Sequence, residues 1–227
     1  MAKRVFRPGV REGYDRWAAS YDDSPNPLVA LDRRYTLGLL APRPGERILD
    51  AGCGTGVHIQ QLRSAGSRPL GLDFSRGMLR LAQGTNRDVP LVQADLNADL
   101  PLKRGAFDAV LCALVSEHIT QLQTLFSQAF VVLKQGGRLV VSAFHPQAAA
   151  SGIEANFEQD GTEYRLGAEQ HTIADYLERV RDAGFTQLRW REYRGDAELE
   201  AAVPGAGKYG GSPLLLTIQA LRPHRGC

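Results

Sequence analysis

Residues 48–56 read Ile-Leu-Asp-Ala-Gly-Cys-Gly-Thr-Gly, and this stretch decides how the chain is read. An apolar run with the look of a buried strand breaks off at Gly52, Gly54 and Gly56, and an amphipathic run at 57–66, closed by Gly66, follows. Glycines at such a corner let the backbone turn tightly and let a ligand meet bare backbone. Taken alone they also suit a plain strand-to-helix turn. The next apolar run, 68–74, narrows the choice because it ends at Asp73, 17 residues past Gly56. A carboxylate near that spacing can accept both hydroxyls of a ribose. A pyrophosphate calls for Gly-x-Gly-x-x-Gly, whereas here the spacing is Gly-x-Gly-x-Gly with Asp50 ahead of it. An acid at the strand end repels a pyrophosphate and attracts the cationic amino end of an amino-acid-bearing ligand. The corner therefore suits a zwitterionic adenosyl ligand better than a dinucleotide, which disfavours a nicotinamide-dependent dehydrogenase.

Working outward, strand-like runs at 89–96, 107–115 and 138–144 alternate with helix-like runs at 75–84 and 120–137. Ser75 and Gly84 read as the caps of the first of these helices, and Gly136-Gly137 as the end of the second. Such alternation predicts βαβ units and a parallel sheet with helices on both faces. Upstream, 10–41 reads as two helical pieces parted by Pro25 and Pro27, and 1–9 as a loose arm. Downstream, Asp160-Gly161 marks a hairpin within 156–167, and Thr172 caps a helix over 172–185. Strands follow at 187–193 and 213–221, with a glycine-rich segment at 195–212 that reads as mobile. The predicted fold is α/β: a seven-stranded, mostly parallel, doubly wound sheet with an antiparallel last strand. Within one domain, 1–227, a core at 42–145 would carry the ligand. The helices of 10–41 and an insert at 146–171 would form a lid, and 172–227 would supply the last helix and edge strands.

Twenty-seven basic residues against 25 acidic ones give a net charge of +2. Most of the basic residues are arginines, and they are scattered, so neither a nucleic-acid partner nor a membrane-surface partner is indicated. No run of 18 apolar residues exists, and the N-terminus lacks the apolar core of a secretory signal, so the cytoplasm is the default location. Cys53, Cys112 and Cys227 form no Cys-x-x-Cys pair. Cys53 and Cys112 read as buried thiols and Cys227 as an exposed terminal residue, with no disulfide framework. No His/Cys/Asp cluster has metal-ligand spacing, so no metal is expected. A Gly-x-Ser-x-Gly hydrolase elbow is absent.

Several motifs in order carry a resemblance. ILDAGCGTG resembles the first motif of class I S-adenosylmethionine-dependent methyltransferases, and LGLDFS (70–75) their ribose-binding motif. VQADLNADLPLKRGAFDAVLCALVSEHI (92–119) resembles the third and fourth, and VLKQGGRLVVSAFHP (132–146) the segment that leads into the fifth strand. YDRWAASYD (14–22) resembles the signature of the ubiquinone/menaquinone-type and related small-molecule enzymes. By position the resemblance implies S-adenosylmethionine as cofactor. Asp50 and the backbone of Gly52, Gly54 and Gly56 would hold its methionine part. Asp73 would take the ribose, with Phe74 and Met78 on the two faces of the adenine. Asp95 and the Leu96 amide would meet the adenine edge, Leu114 the sulfonium, and Tyr14 and Tyr21 would close over the whole. Met78 suits a core position equally well, Asp95 a turn cap, and Tyr14 simple packing.

Methyl transfer needs a base only when the acceptor atom carries a proton. His145 and His118, at strand ends, lead the candidates for a base or a substrate-positioning group, with Glu117 and His171 nearby. Lone histidines also serve as caps and structural contacts. His58, early in its helix, would approach the cofactor carboxylate or stand exposed. Phe157, Tyr164, Glu154, Glu158 and Tyr209 in the lid suit a modest organic acceptor. The acceptor atom (O, N or C) and the choice between monomer and homodimer stay open. The alternative is a protein that binds the cofactor but serves another reaction or a regulatory role.

Overall fold

The computed structural model describes residues 4–23 and 25–224. Cys227 therefore lies outside the described residues. Five parallel strands form the centre of the main sheet: β2 (Arg47–Ala51), β3 (Arg68–Asp73), β4 (Leu91–Gln93), β5 (Phe107–Ala113) and β6 (Leu133–Phe144). β9 (Thr186–Arg194) and β10 (Pro213–Leu221) complete it in the order β4-β3-β2-β5-β6-β10-β9, with β10 antiparallel to both neighbours. Alternation along the buried strands sends side chains to two cores. Leu49, Val110 and Val141 pack towards α5 (Leu122–Val132) and α7 (Ile173–Asp182). Ile48, Leu111 and Val140 pack on the other face against Leu40 of α2 (Pro27–Leu40) and Leu62 of α3 (Val57–Ser64). α4 (Arg76–Thr85) sits beside α3, where Leu79 packs on the cluster of Cys53 and Ile59. Cys53 and Cys112 are buried free thiols. No helix among the described residues is long and apolar enough to cross a membrane.

Residues 4–6 do not belong to a loose arm. β1 (Arg4–Phe6) pairs in parallel with β8 (Thr162–Arg165), and β8 pairs antiparallel with β7 (Asn156–Gln159). Asp160 and Gly161 both carry positive φ, as a two-residue hairpin turn demands. A short α6 (Pro146–Ala150) leads into this small sheet. α1 (Val10–Trp17) is fastened elsewhere: Asp15 Oδ1 accepts from Ser75 Oγ at 2.7 Å and from the Gly77 amide at 2.8 Å. A ladder of rings joins the two parts of the lid. Trp17 stacks on Phe157 at 5.1 Å between centroids, and Phe157 stacks on Tyr164 at 4.8 Å.

Three boundaries differ from the sequence reading, each for a physical reason. α5 stops at Val132 rather than at Gly137, and Leu133 already pairs with Phe107 of β5. Arg222 Nη1, from the far end of the chain, donates to the carbonyls of Phe130, Val131 and Leu133 and so caps the helix. α4 runs through Gly84, and its end is fixed instead at Asn86, whose Nδ2 donates to the Ala82 carbonyl at 3.1 Å. The segment 195–212 is built rather than loose. Asp196 caps α8 (Ala197–Ala202) through the Leu199 amide at 2.8 Å. Leu199, Val203 and Ala206 are buried against Leu31 of α2.

Candidate active site

The glycine corner and the end of β3 are one hydrogen-bonded unit. The amides of Gly52 and Cys53 both donate to the Leu72 carbonyl, at 2.6 and 2.9 Å. Gly52 has φ +84°, and a Cβ there would stand 2.2 Å from Val115 Cγ2. Gly54 has φ +53° with nothing near the missing Cβ, so bare backbone faces open space. The Gly54 amide donates to Asp73 Oδ2 at 2.9 Å and the Ser75 amide to Oδ1 at 2.8 Å. Burial raises the Asp73 carboxyl above its ordinary value, and these backbone donors oppose the rise. The acid is held rigidly, and its oxygens keep lone pairs for further donors.

A cleft opens over this corner. Gly52, Gly54, Asp73 and Phe74 line it from the first two strand ends, and Asp95, Leu96, Leu114 and His118 from the next two. Tyr14 and Tyr21 cover it, and Met78 reaches it from α4 while remaining a buried core residue. Asp95 also caps its own turn, accepting from the Asn97 amide at 2.8 Å. Gly56 is not on the wall; it packs against Asn86 and Ala82. Leu114 adopts φ +54°, a conformation unusual for a leucine, and lines both this cleft and the chamber beside it.

Asp50 lies behind the wall, 1% exposed, and neither carboxylate oxygen has a hydrogen-bond partner. Burial pushes its carboxyl up to about 7, and neighbouring His58 works the other way. An orphaned buried carboxyl beside a cleft fits the cationic amino end of an amino-acid ligand. Its folded-state pKa lies above the unfolded value, so its contribution to stability is lost as pH rises through the window up to about 7. Asp50→Asn removes that loss. Relative to the wild type, the variant should gain stability progressively between about pH 4 and about pH 7 and no more above that, as read by urea unfolding of ligand-free protein. A difference that does not change with pH would contradict the assignment.

His58 sits on the cleft wall with Nε2 2.7 Å from Asp32 Oδ2 and Nδ1 3.1 Å from Gln61 Oε1. Burial lowers its pKa, but the carboxylate outweighs this and the net shift is upward. Asp32 in turn is 2% exposed and also accepts from the hydroxyls of Thr36 and Ser142. Sequence reasoning missed Asp32. Its signal was a polar pair, Asp32 and Thr36, on the stripe of α2 that buries Leu40. Asp22, Arg33 and Thr55 also line the cleft without having been singled out.

The candidate bases separate on geometry. His118 Nε2 lies 2.9 Å from Tyr14 Oη. Burial pushes this histidine down to about 4 and the phenol upward, so the pair is neutral. His145 lines neither cavity. It caps α6, its Nδ1 accepts from the Gln147 amide, and its Nε2 meets Glu192 at 2.7 Å. Those contacts are the ones a helix-capping histidine makes. His171 likewise binds the Ile119 carbonyl at 2.7 Å. Glu117 is buried, has one unpartnered oxygen and lines the neighbouring chamber. Among the described residues no group of three or more His, Cys, Asp or Glu is placed to hold a metal.

The chamber joins the cleft along Tyr14, Tyr21, Asp22, Val29, Arg33 and Leu114. Two joined cavities at the carboxyl ends of a parallel sheet suit a reaction between two bound molecules. Comparison with known proteins bears on which reaction this is. Residues 49–141 match the family described as "Methyltransferase domain". A demethylmenaquinone methyltransferase of Corynebacterium kroppenstedtii is 37% identical over 223 residues, 86% of this chain and 95% of that protein. The chain belongs to the class I S-adenosylmethionine-dependent methyltransferases. A second methyltransferase of the same description, from Tropheryma whipplei, is 33% identical over 144 residues, 61% of this chain and 60% of its own length. The chain thus spans less than two thirds of that relative. A methyltransferase structure from Mesorhizobium loti shares the fold at a TM-score of 0.72 and 23% identity, covering 84% of this chain and 97% of its own. The methyl donor of this family is S-adenosylmethionine.

Proposed function

We propose that the chamber beside the cofactor cleft receives the methyl acceptor, and that this acceptor is a mostly apolar organic compound of the quinone kind. The observation that carries the reading is the shared wall, since a molecule in the chamber meets whatever the cleft holds at Leu114 and Tyr21. Leu28, Ile153, Phe157, Val203 and Leu214 give the chamber an apolar patch beside the acids Asp22, Asp23, Glu117, Glu154 and Glu158. Arg33 is the one arginine or lysine on its described wall, which suits an acceptor without a phosphate head. The relatives are named demethylmenaquinone methyltransferases, which points the same way.

The bound cofactor supplies a methyl group already activated by its sulfonium. The chain's own residues align, cover and desolvate. Asp73 would take the ribose hydroxyls, and Asp50 with the Gly52–Gly54 backbone the methionine end. Phe74 and Met78 would flank the adenine, whose edge Asp95 and Leu96 would meet. Tyr14, Tyr21 and His118 would roof the reacting centre and exclude water. His118 would act there by position. The near-balanced charge supports an enzyme without a nucleic-acid partner; a cytoplasmic location is part of the same reading. The test is incubation with tritium-labelled S-adenosylmethionine and either reduced demethylmenaquinone or phosphoethanolamine. Label transferred to the first and not to the second is the expected result. Transfer to phosphoethanolamine alone would overturn the apolar reading.

A further inference from the structure

Glu117 stands in the short turn Ser116–His118 that follows β5. Two contacts fix that turn. The Glu169 amide donates to the Glu117 carbonyl at 2.7 Å, and Tyr176 Oη donates to Ser116 Oγ at 3.1 Å. The side chain is 9% exposed and lines the acceptor chamber rather than the cofactor cleft. Backbone amides of Glu117 itself and of Phe144 lie against the carboxylate, yet Oε2 is buried without any partner. A carboxyl oxygen in that state costs stability unless a ligand completes it. It stands three residues beyond Leu114, which lines both cavities. The other candidate bases are engaged: His118 with Tyr14, His58 with Asp32, His145 with Glu192, and His171 with a carbonyl.

We propose that Glu117 is the general base of the methyl transfer and that the acceptor presents to it a weakly acidic hydroxyl on a conjugated ring. This rests on the reading of the chamber as the acceptor site. In the step, the acceptor O–H bond breaks and its proton passes to Glu117 Oε2. The electron pair left behind forms the new bond to the methyl carbon, from the oxygen or from a ring carbon conjugated with it. The C–S bond of the sulfonium breaks with its pair to sulfur. A ring carbon so methylated then gives up its own hydrogen as a proton, which restores the hydroxyl. Glu117 returns its proton to water through the open chamber.

The electrostatics agree with the geometry. Burial pushes the Glu117 carboxyl up to about 7, and Asp32 adds to the rise. Such a base matches a proton transfer near neutral pH. The groups that face it are Tyr14 and Tyr21 from the N-terminal helices, Asp32 from α2, Cys112 from β5, Tyr176 from α7 and adjacent His118. The tyrosines and the cysteine are shifted upward, Asp32 downward, and His118 to about 4, so none of them titrates near 7. Asp50, behind the wall of the cofactor cleft, does. The experiment is therefore run with the cleft saturated by S-adenosylhomocysteine.

The test compares wild type, Glu117→Gln and Glu117→Asp, each loaded with S-adenosylhomocysteine and titrated with α-naphthol by fluorescence across the neutral pH range. Ionised Glu117 accepts a charge-assisted hydrogen bond from the naphthol hydroxyl, so wild-type affinity should strengthen as pH rises through about 7. Glu117→Gln should bind about tenfold more weakly on the alkaline side, with no step near 7. Glu117→Asp should retain a step. S-Adenosylhomocysteine affinity should be equal in all three proteins. Naphthol that does not bind, or that binds wild type and Glu117→Gln alike at every pH, overturns the proposal. Failure of the wild type to bind S-adenosylhomocysteine would instead remove the cofactor reading beneath it.

Discussion

Asp73→Asn should weaken S-adenosylhomocysteine binding by about two orders of magnitude while the protein stays folded. The side chain is 8% exposed, and both oxygens are already aimed by the Gly54 and Ser75 amides. Asparagine keeps the size of the group but replaces one acceptor oxygen with an amino donor. That donor meets an amide N–H where the carboxylate had an acceptor, and it cannot receive a ribose hydroxyl. Two charge-assisted hydrogen bonds to the ligand are lost, at roughly 1.5–3 kcal/mol each before compensation by water. Calorimetric titration reads the loss, and circular dichroism reports the fold. Affinity within a factor of about three of wild type would place the ribose elsewhere.

The second large effect lies at Gly52. Gly52→Ala sets a Cβ 2.2 Å from Val115 Cγ2, on a backbone at φ +84° that alanine rarely adopts. Two further atoms of Val115 stand at 3.0 and 3.1 Å, so the whole side chain would have to move. The amide of this residue also anchors the corner to the Leu72 carbonyl. Overpacking and strain together should cost about 3 kcal/mol or more, measured by urea unfolding. Adding Val115→Ala relieves the clash but not the strained φ, so the double variant should recover part of the loss. No recovery would mean that backbone strain alone sets the cost. A cost below about 1 kcal/mol for Gly52→Ala would contradict the geometry.

The central sheet was legible because each buried strand is a short apolar run bounded by a turn. β10 could be placed for the same reason: it is nearly all buried, as Pro213–Leu221 reads. What was not legible depends on contacts distant in sequence. β1 is three exposed residues that pair with β8, about 160 positions away. The end of α5 is set by Arg222, which no local signal connects to Phe130. α8 was hidden by composition: glycines around it made 195–212 read as loose, although Asp196 followed by Ala-Glu-Leu-Glu-Ala-Ala is a capped helix in its own right.

The candidate site divides in the same way. Asp73, Phe74, Leu96 and Leu114 were readable as strand-end residues on one side of the sheet, and they do come together on one cleft. Histidines were not. His145 follows its strand as a base would, yet its neighbours in space are a helix N-terminus and Glu192, which lies on the edge strand β9. Glu117 was one acid beside a histidine. Only the burial of its oxygen and its place on the chamber wall separate it from that neighbour.

The measurement that bears most directly on the whole account is calorimetric titration of the wild-type protein with S-adenosylhomocysteine, run in parallel with reduced nicotinamide dinucleotide. The account predicts one site per chain for the first, with a dissociation constant in the micromolar range, and no heat from the second. A folded protein that takes up the dinucleotide and ignores S-adenosylhomocysteine would contradict it.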